Sequence, residues 1–182
     1  MEFKTVLNGN EYGLPIVEIK PGLSIALFDM LSSKDMAIDS AIALFDKLKE
    51  NNIDLSKVDT VLSAETKGVI LAYDMAQKIG CDMVILRKEH KLYHKEVTRG
   101  AVNTYTTKNE HFLYLDNNLI PKLKGKNVLV VDDVVSTGSS LEAIENILGQ
   151  VGANIYAKAF VFAEGEAAER KDVIYVNALP LF

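Results

Sequence analysis

VLVVDDVVSTGSS, residues 128–140, packs an apolar strand, two carboxylates and a hydroxyl-rich helix start into one short span. Val128 to Val131 is an uninterrupted run with β-branched residues, the pattern of a central strand covered on both faces. Asp132 and Asp133 follow at its carboxyl end. Ser136, Thr137, Gly138, Ser139 and Ser140 come next, then Leu141, Ile144, Ile147 and Leu148 at three- and four-residue spacing, so a helix begins where the hydroxyls cluster. Such a unit is built to hold an anion. The first amides of a helix lack internal partners and carry the positive end of its dipole, and Gly138 lets the backbone approach a phosphate closely. Neighbouring strand residues point to opposite faces, so Asp132 and Asp133 suit two separate sugar hydroxyls better than one shared metal ion. No Gly-Lys-Ser/Thr follows the glycine, which excludes a Walker phosphate loop.

Upstream, Val58 to Leu62 reads as a short buried strand ending in SAETKG, residues 63–68. Val69, Ala72, Ala76 and Ile79 continue at helical spacing, Gly80 stops the helix, and Met83 to Leu86 supplies another strand. Residues 58–86 and 128–162 are thus two βαβ units with parallel strands and right-handed crossovers. They predict an α/β fold: an open, mainly parallel twisted sheet with helices on both faces, and ligands outside the carboxyl ends of the strands. Loops 63–68 and 132–140 both fall at that edge.

Residues 1–33 alternate apolar stretches with Gly9, Gly13, Pro15, Pro21 and Gly22, a leader of short strands and turns able to wall off a pocket. From Ser33 a packing helix is expected, with Ile38, Ile42, Phe45 and Leu48 on its inner face. Residues 87–118 begin with the basic RKEHKLYHKEVTRG and continue into hairpin arms at 101–107 and 110–115, a flap. Ile155–Ala163 and Val173–Val176 read as strands around the acidic EGEAAERKD, itself read as a solvated turn.

At 182 residues the chain suits one main domain. A net charge of −5 without a basic stripe argues against nucleic acid. Cys81 is the single cysteine, His90, His94 and His111 show no zinc spacing, and no apolar run reaches membrane-spanning length. The start resembles neither a signal nor a transit peptide, so a cytoplasmic setting is expected.

VLVVDDVVSTGSS resembles the signature by which type I phosphoribosyltransferases bind phosphoribosyl pyrophosphate. The likeness is closest to the adenine branch: PGLSIALFDM at 21–30 resembles its Pro-Gly segment followed by Phe and Asp, ETKG at 65–68 its pyrophosphate loop, and Arg87-Lys88 with Lys91-Leu92 its Arg-Lys and Lys-Leu pattern. The resemblance implies one phosphoribosyltransferase domain over 1–182, with 1–33 and part of 163–182 as a hood and 87–118 as the flap. It implies that Asp132 and Asp133 hold the ribose hydroxyls as the catalytic pair, and that Ser136, Thr137, Gly138, Ser139 and Ser140 cradle the 5-phosphate. Glu65, Thr66, Lys67, Gly68, Lys88 and Lys91 would face pyrophosphate, and Leu27, Phe28 and Arg87 the base. Mg²⁺ would come mainly through the substrate, with no metal bound directly by the protein, and the enzyme would be a homodimer. Adenine is the favoured acceptor. The adenine branch usually carries a Glu before a flap Tyr, however, and here Thr104 precedes Tyr105, with Glu96 the nearest carboxylate. VNTYTTK at 102–108, like ETKG, resembles xanthine phosphoribosyltransferases, so xanthine, guanine and hypoxanthine stay open as acceptors. A reading of another class, a non-catalytic sensor of phosphoribosyl pyrophosphate, is disfavoured because no DNA-binding domain is expected before the fold and the flap keeps its basic residues.

Overall fold

The computed structural model describes residues 1–90, 96–102 and 111–182. Its centre is a five-stranded sheet in the order β10-β9-β8-β4-β5, every neighbouring pair parallel. The strands are β4 (Thr60–Ala64), β5 (Asp82–Leu86), β8 (Asn127–Val135), β9 (Asn154–Glu164) and β10 (Ile174–Leu179). From β4 the chain crosses to one side to form β5, and from β8 it crosses to the other to form β9. The gap between β4 and β8 is therefore the topological switch point, where crossovers diverge and leave a crevice at the strand ends. Alternation along β8 fills both faces: Leu129 and Val131 pack with helices α1 (Lys34–Glu50) and α2 (Gly68–Ile79), while Val128 and Val130 pack with α3 (Ser139–Val151).

Two boundaries move from their expected places. The first strand of the sheet begins at Thr60, not Val58, and runs through Ser63 and Ala64, all of it buried. Asp132 and Asp133 lie inside β8, not beyond it. On the β4 side pairing stops at Leu62 with Val130, whereas on the β9 side it continues to Val135 with Ala163. The two acids thus stand in a strand whose edge toward β4 is already free.

The leader is a three-stranded antiparallel sheet of β1 (Glu2–Leu7), β2 (Asn10–Lys20) and β3 (Leu23–Ala26), with β2 central. Asn8 and Gly9, at φ +49° and +80°, make the two-residue turn. Gly13 and Pro15, expected as breakers, lie within β2. Pro15 is tolerated because β1 pairs only as far as Pro15 and β3 begins at Ile16, so the missing N–H falls at the handover between ladders. The chain's end joins this sheet: Ser24 and Phe182 exchange backbone hydrogen bonds of 2.7 and 2.9 Å.

In α1 the inner face is Ala37, Ala41, Leu44 and Leu48; of the expected set only Leu48 is fully buried, Ile38 is 45% exposed, and Ile42 and Phe45 are only partly covered. The small alanines let the helix come close, and Asp39 is buried on a neighbouring face against the leader. Hairpin strands β6 (Val97–Val102) and β7 (His111–Asp116) are antiparallel, and the first arm starts earlier than expected. Leu113 and Leu115 are buried, Arg87 bridges to Tyr114, and a side chain at Gly100 would run into the carbonyl oxygen of Ala143 in α3. The root of the hairpin is docked on α3. Lys91, His94, Lys95, Thr104 and Tyr105 lie outside the described residues.

Candidate active site

At the switch point the loop after β4 faces the acidic part of β8. A cavity of about 480 Å³ is lined by Glu65, Thr66, Lys67, Lys88, Asp132, Asp133, Ser140 and neighbouring apolar residues. A second cavity, of about 120 Å³, shares Asp132, Val134 and Ser140 with it and is wrapped by Ser136, Thr137, Gly138 and Ser139. Of the expected phosphate, pyrophosphate and sugar residues, all that are described except Gly68 line one or other of these adjoining spaces; Lys91 lies outside the described residues.

The small cavity owes its shape to local backbone. Gly138 has φ +83°, a conformation costly for other residues, and stands at the N-terminus of α3 with no side-chain cap. The first helical bond is Glu142 N–H to the carbonyl of Gly138, while the Ser139 amide meets Thr137 Oγ1 only at 3.4 Å. The first turn of α3 therefore presents amides toward the cavity rather than spending them on a cap.

The two acids live in different surroundings. Asp132 Oδ1 accepts from the amide of Asp133 at 2.9 Å, and burial together with the charge of Asp133 pushes its carboxyl well above the usual carboxylate range. Gly68, at the start of α2, makes room for it: a Cβ there would collide with Ser63 Oγ and stand 2.6 Å from Asp132 Oδ1. Ser63 Oγ is buried and makes no hydrogen bond among the described residues. Asp133 instead pairs with Lys67, Nζ to Oδ2 at 3.1 Å. Lys67 also donates to the carbonyl of Phe28 at 2.7 Å, so one ammonium ties the segment after β3 to the acid pair.

Glu65, an acid in a loop expected to meet a polyanion, is occupied: Arg87 Nη1 meets Oε1 at 2.5 Å and the Lys88 amide donates to Oε2 at 2.9 Å. Arg87 thus contacts the loop that follows β4. Leu27 is 40% exposed, whereas the Phe28 ring is buried edge-on against Phe162 with centroids 4.7 Å apart, leaving its backbone to face outward contacts. Among the described residues no group of three or more His, Cys, Asp and Glu is placed to hold a metal ion.

Two further residues went unsuspected in the sequence. Arg170, in the segment read as a solvated turn, places Nη1 2.7 Å from where a Cβ on Gly138 would stand. Its only signal was Asp172 two positions on. Asp39 accepts hydrogen bonds from Asn8 (2.9 Å), Asn10 (2.8 Å) and Tyr12 (2.5 Å), all on the leader. A polar residue inside an amphipathic helix carries no mark of such partners.

Over residues 29–179 the chain matches the phosphoribosyl transferase domain family. It is 29% identical over 144 residues to the adenine phosphoribosyltransferase of Brachyspira hyodysenteriae, covering 79% of each chain. To that of Nitrobacter hamburgensis it is 33% identical over 106 residues, 58% of this chain and 56% of the relative. The solved adenine phosphoribosyltransferase from Thermoanaerobacter pseudethanolicus shares the fold, with a TM-score of 0.72 at 19% identity over 91% of this chain and 95% of that one. Because the matched span takes in the whole parallel sheet and both loops at its switch point, the chain belongs to the phosphoribosyl transferase domain family.

Proposed function

We propose that this protein transfers the 5-phosphoribosyl group from phosphoribosyl pyrophosphate to a purine base, adenine first among them, giving a purine nucleoside monophosphate and pyrophosphate in purine salvage. The observation that carries the proposal is the pair of adjoining cavities: an anion cradle in one and two lysines with Asp133 in the other, with Asp132 lining both. That is the order of groups along the donor: phosphate, ribose, pyrophosphate. The adenine enzymes among the relatives support the choice of base.

In this reading the amides and hydroxyls of Ser136 to Ser140 hold the 5-phosphate, and Asp132 and Asp133 accept from the ribose hydroxyls. Lys67 and Lys88, with the Thr66 and Gly68 backbone, receive pyrophosphate. Arg87 and Lys88 keep Glu65 out of its way, and Leu27, the Phe28 backbone and Arg87 border the base. As the bond from the anomeric carbon to the pyrophosphate oxygen breaks, its electron pair leaves with pyrophosphate, and a base nitrogen forms the new bond and gives its proton to solvent. The sugar passes through an oxocarbenium-like state, so the protein's part is to align two reactants and stabilise the departing polyanion. Mg²⁺ would be held mainly through the donor and would supply charge neutralisation for the departing pyrophosphate. Lys67 must let go of Asp133 to reach pyrophosphate, which frees that carboxylate for the sugar.

We also propose a homodimer, for which Ile70 and Tyr73, 38% and 55% exposed on α2, offer an apolar face. The lone Cys81 fits a cytoplasmic setting. No helix among the described residues is long and apolar enough to cross a membrane. The deciding experiment is pyrophosphate release measured in parallel with adenine, guanine, hypoxanthine and xanthine. Adenine is expected to turn over fastest. Another base in first place would reassign the acceptor, and donor binding without turnover on any base would make the protein a sensor.

A further inference from the structure

Arg170 follows a short 3-10 turn, Gly165–Glu169, that brings the chain back from the end of β9 toward the phosphate loop. Asp172 grips its guanidinium at two points, Nε at 3.0 Å and Nη2 at 2.8 Å. Asp172 is in turn held by Lys158 of β9 at 2.5 Å, and Lys158 also reaches Glu145 of α3 at 2.8 Å. Two cations and two carboxylates make this network neutral in sum, so it adds little net field to the loop. Its effect is geometric. The fork fixes the guanidinium plane. The nitrogen left over, Nη1, then fills the volume where a side chain on Gly138 would stand, 2.7 Å from the position of that Cβ. Gly138 is the residue whose positive φ opens the first turn of α3, and Arg170, Ser136 and Thr137 line one cavity of about 390 Å³ on that side of the loop.

We infer that Arg170 is a positioning residue for the 5-phosphate: it backs the turn at Gly138 from the outside, so that the amides of α3 stay presented to the phosphate on the inside. This rests on the reading of residues 136–140 as the donor's phosphate cradle. A network that only stapled β9 to α3 would shift the thermal midpoint and leave donor recognition alone, since it would act on the fold and not on the turn at Gly138.

The test measures ribose 5-phosphate binding by calorimetry, beside the thermal midpoint and the KM for the base, in the full chain and its variants. Arg170→Met is expected to weaken ribose 5-phosphate about tenfold, a loss of about 1.4 kcal/mol, while the KM for the base stays within about twofold. Arg170→Lys, which keeps the charge and loses the fork, is expected to weaken it at least about threefold. Asp172→Asn, which leaves the arginine and loosens its grip, is expected to do the same. Wild-type affinity in Arg170→Met overturns the inference, as does a loss shared equally by the base. Should Arg170→Met fail to fold, Arg170→Lys and Asp172→Asn decide in the same way, and unchanged affinity in both overturns it. If the wild-type protein itself does not bind ribose 5-phosphate, the reading of the cradle falls and the inference with it. If it binds and only the variants are silent, the cradle stands and Arg170 is removed from it.

Discussion

Asp132 and Asp133 are neighbours in the chain, yet the fold gives them opposite electrostatic surroundings. Asp133 faces the Lys67 ammonium at 3.1 Å, while burial and the charge of Asp133 raise the Asp132 carboxyl, with Lys88 only partly opposing. In the proposed role Asp132 accepts from a ribose hydroxyl most strongly as a carboxylate, so donor use should fall as pH drops through the raised value and be complete above it. The kcat/KM for phosphoribosyl pyrophosphate should therefore show an acidic limb above the ordinary carboxylate value of about 4. Asp132→Asn should abolish that limb and cost at least about tenfold in kcat/KM, in line with about 1.5 to 3 kcal/mol for a hydrogen bond to a charged group. A flat profile across this range in the wild type would contradict the assignment. For stability the sign is reversed: the folded state binds the proton more tightly than the unfolded chain, so this group's contribution improves as pH falls through its folded pKa. The acids could be read from VVDD alone, whereas the inequality between them could not, because Lys67, Lys88 and Gly68 come from other segments of the chain.

At the scale of elements, the leader sheet is clamped to α1 by one buried carboxylate. Asp39 is 7% exposed, and hydrogen bonds from Asn8, Tyr12 and Asn10 hold its carboxyl below the ordinary range; burial and Asp39 together push the Tyr12 hydroxyl up to about 12. A depressed acid contributes stability that is present above its unfolded pKa and lost as pH falls through the folded one. Asp39→Ala leaves three donors without an acceptor and should destabilise the protein by about 2 to 4 kcal/mol, with amide exchange quickening first in β1 and β2. Uniform exchange rates before and after substitution would show that the clamp is elsewhere. Hydrophobic spacing located α1 and its buried Leu48 correctly, and set the rest of its inner face about one residue off. The pattern of Ile38, Ile42 and Phe45 is apolar, but the space beneath α1 admits alanine at 37 and 41, a condition set by the sheet it packs on. The β-hairpin turn at Asn8-Gly9 was, by contrast, local chemistry and legible as a turn.

For the molecule as a whole, the decisive feature is the order of the strands. Parallel β4 and β8 with crossovers departing in opposite directions bring residues 65–68 and 132–140, far apart in sequence, to one crevice. The hairpin closes the other face through a contact at Gly100, where any side chain meets the backbone of α3. Gly100→Val should undock it at a cost of about 1 to 3 kcal/mol, visible as a lower thermal midpoint; an unchanged midpoint would mean that the hairpin contributes nothing to the fold. The sequence by itself determined the βαβ units, the hydroxyl-rich helix start and the carboxylate pair, because strand burial, helix periodicity and capping act over a few residues and leave a local record. Only the tertiary structure decided which strand lies beside which, that Lys67 links Phe28 to Asp133, that Glu65 is occupied by Arg87, and that Arg170 stands behind Gly138. Each of those is a meeting of charges or backbones between segments that share no local pattern, and only the packed sheet brings them within a few ångströms.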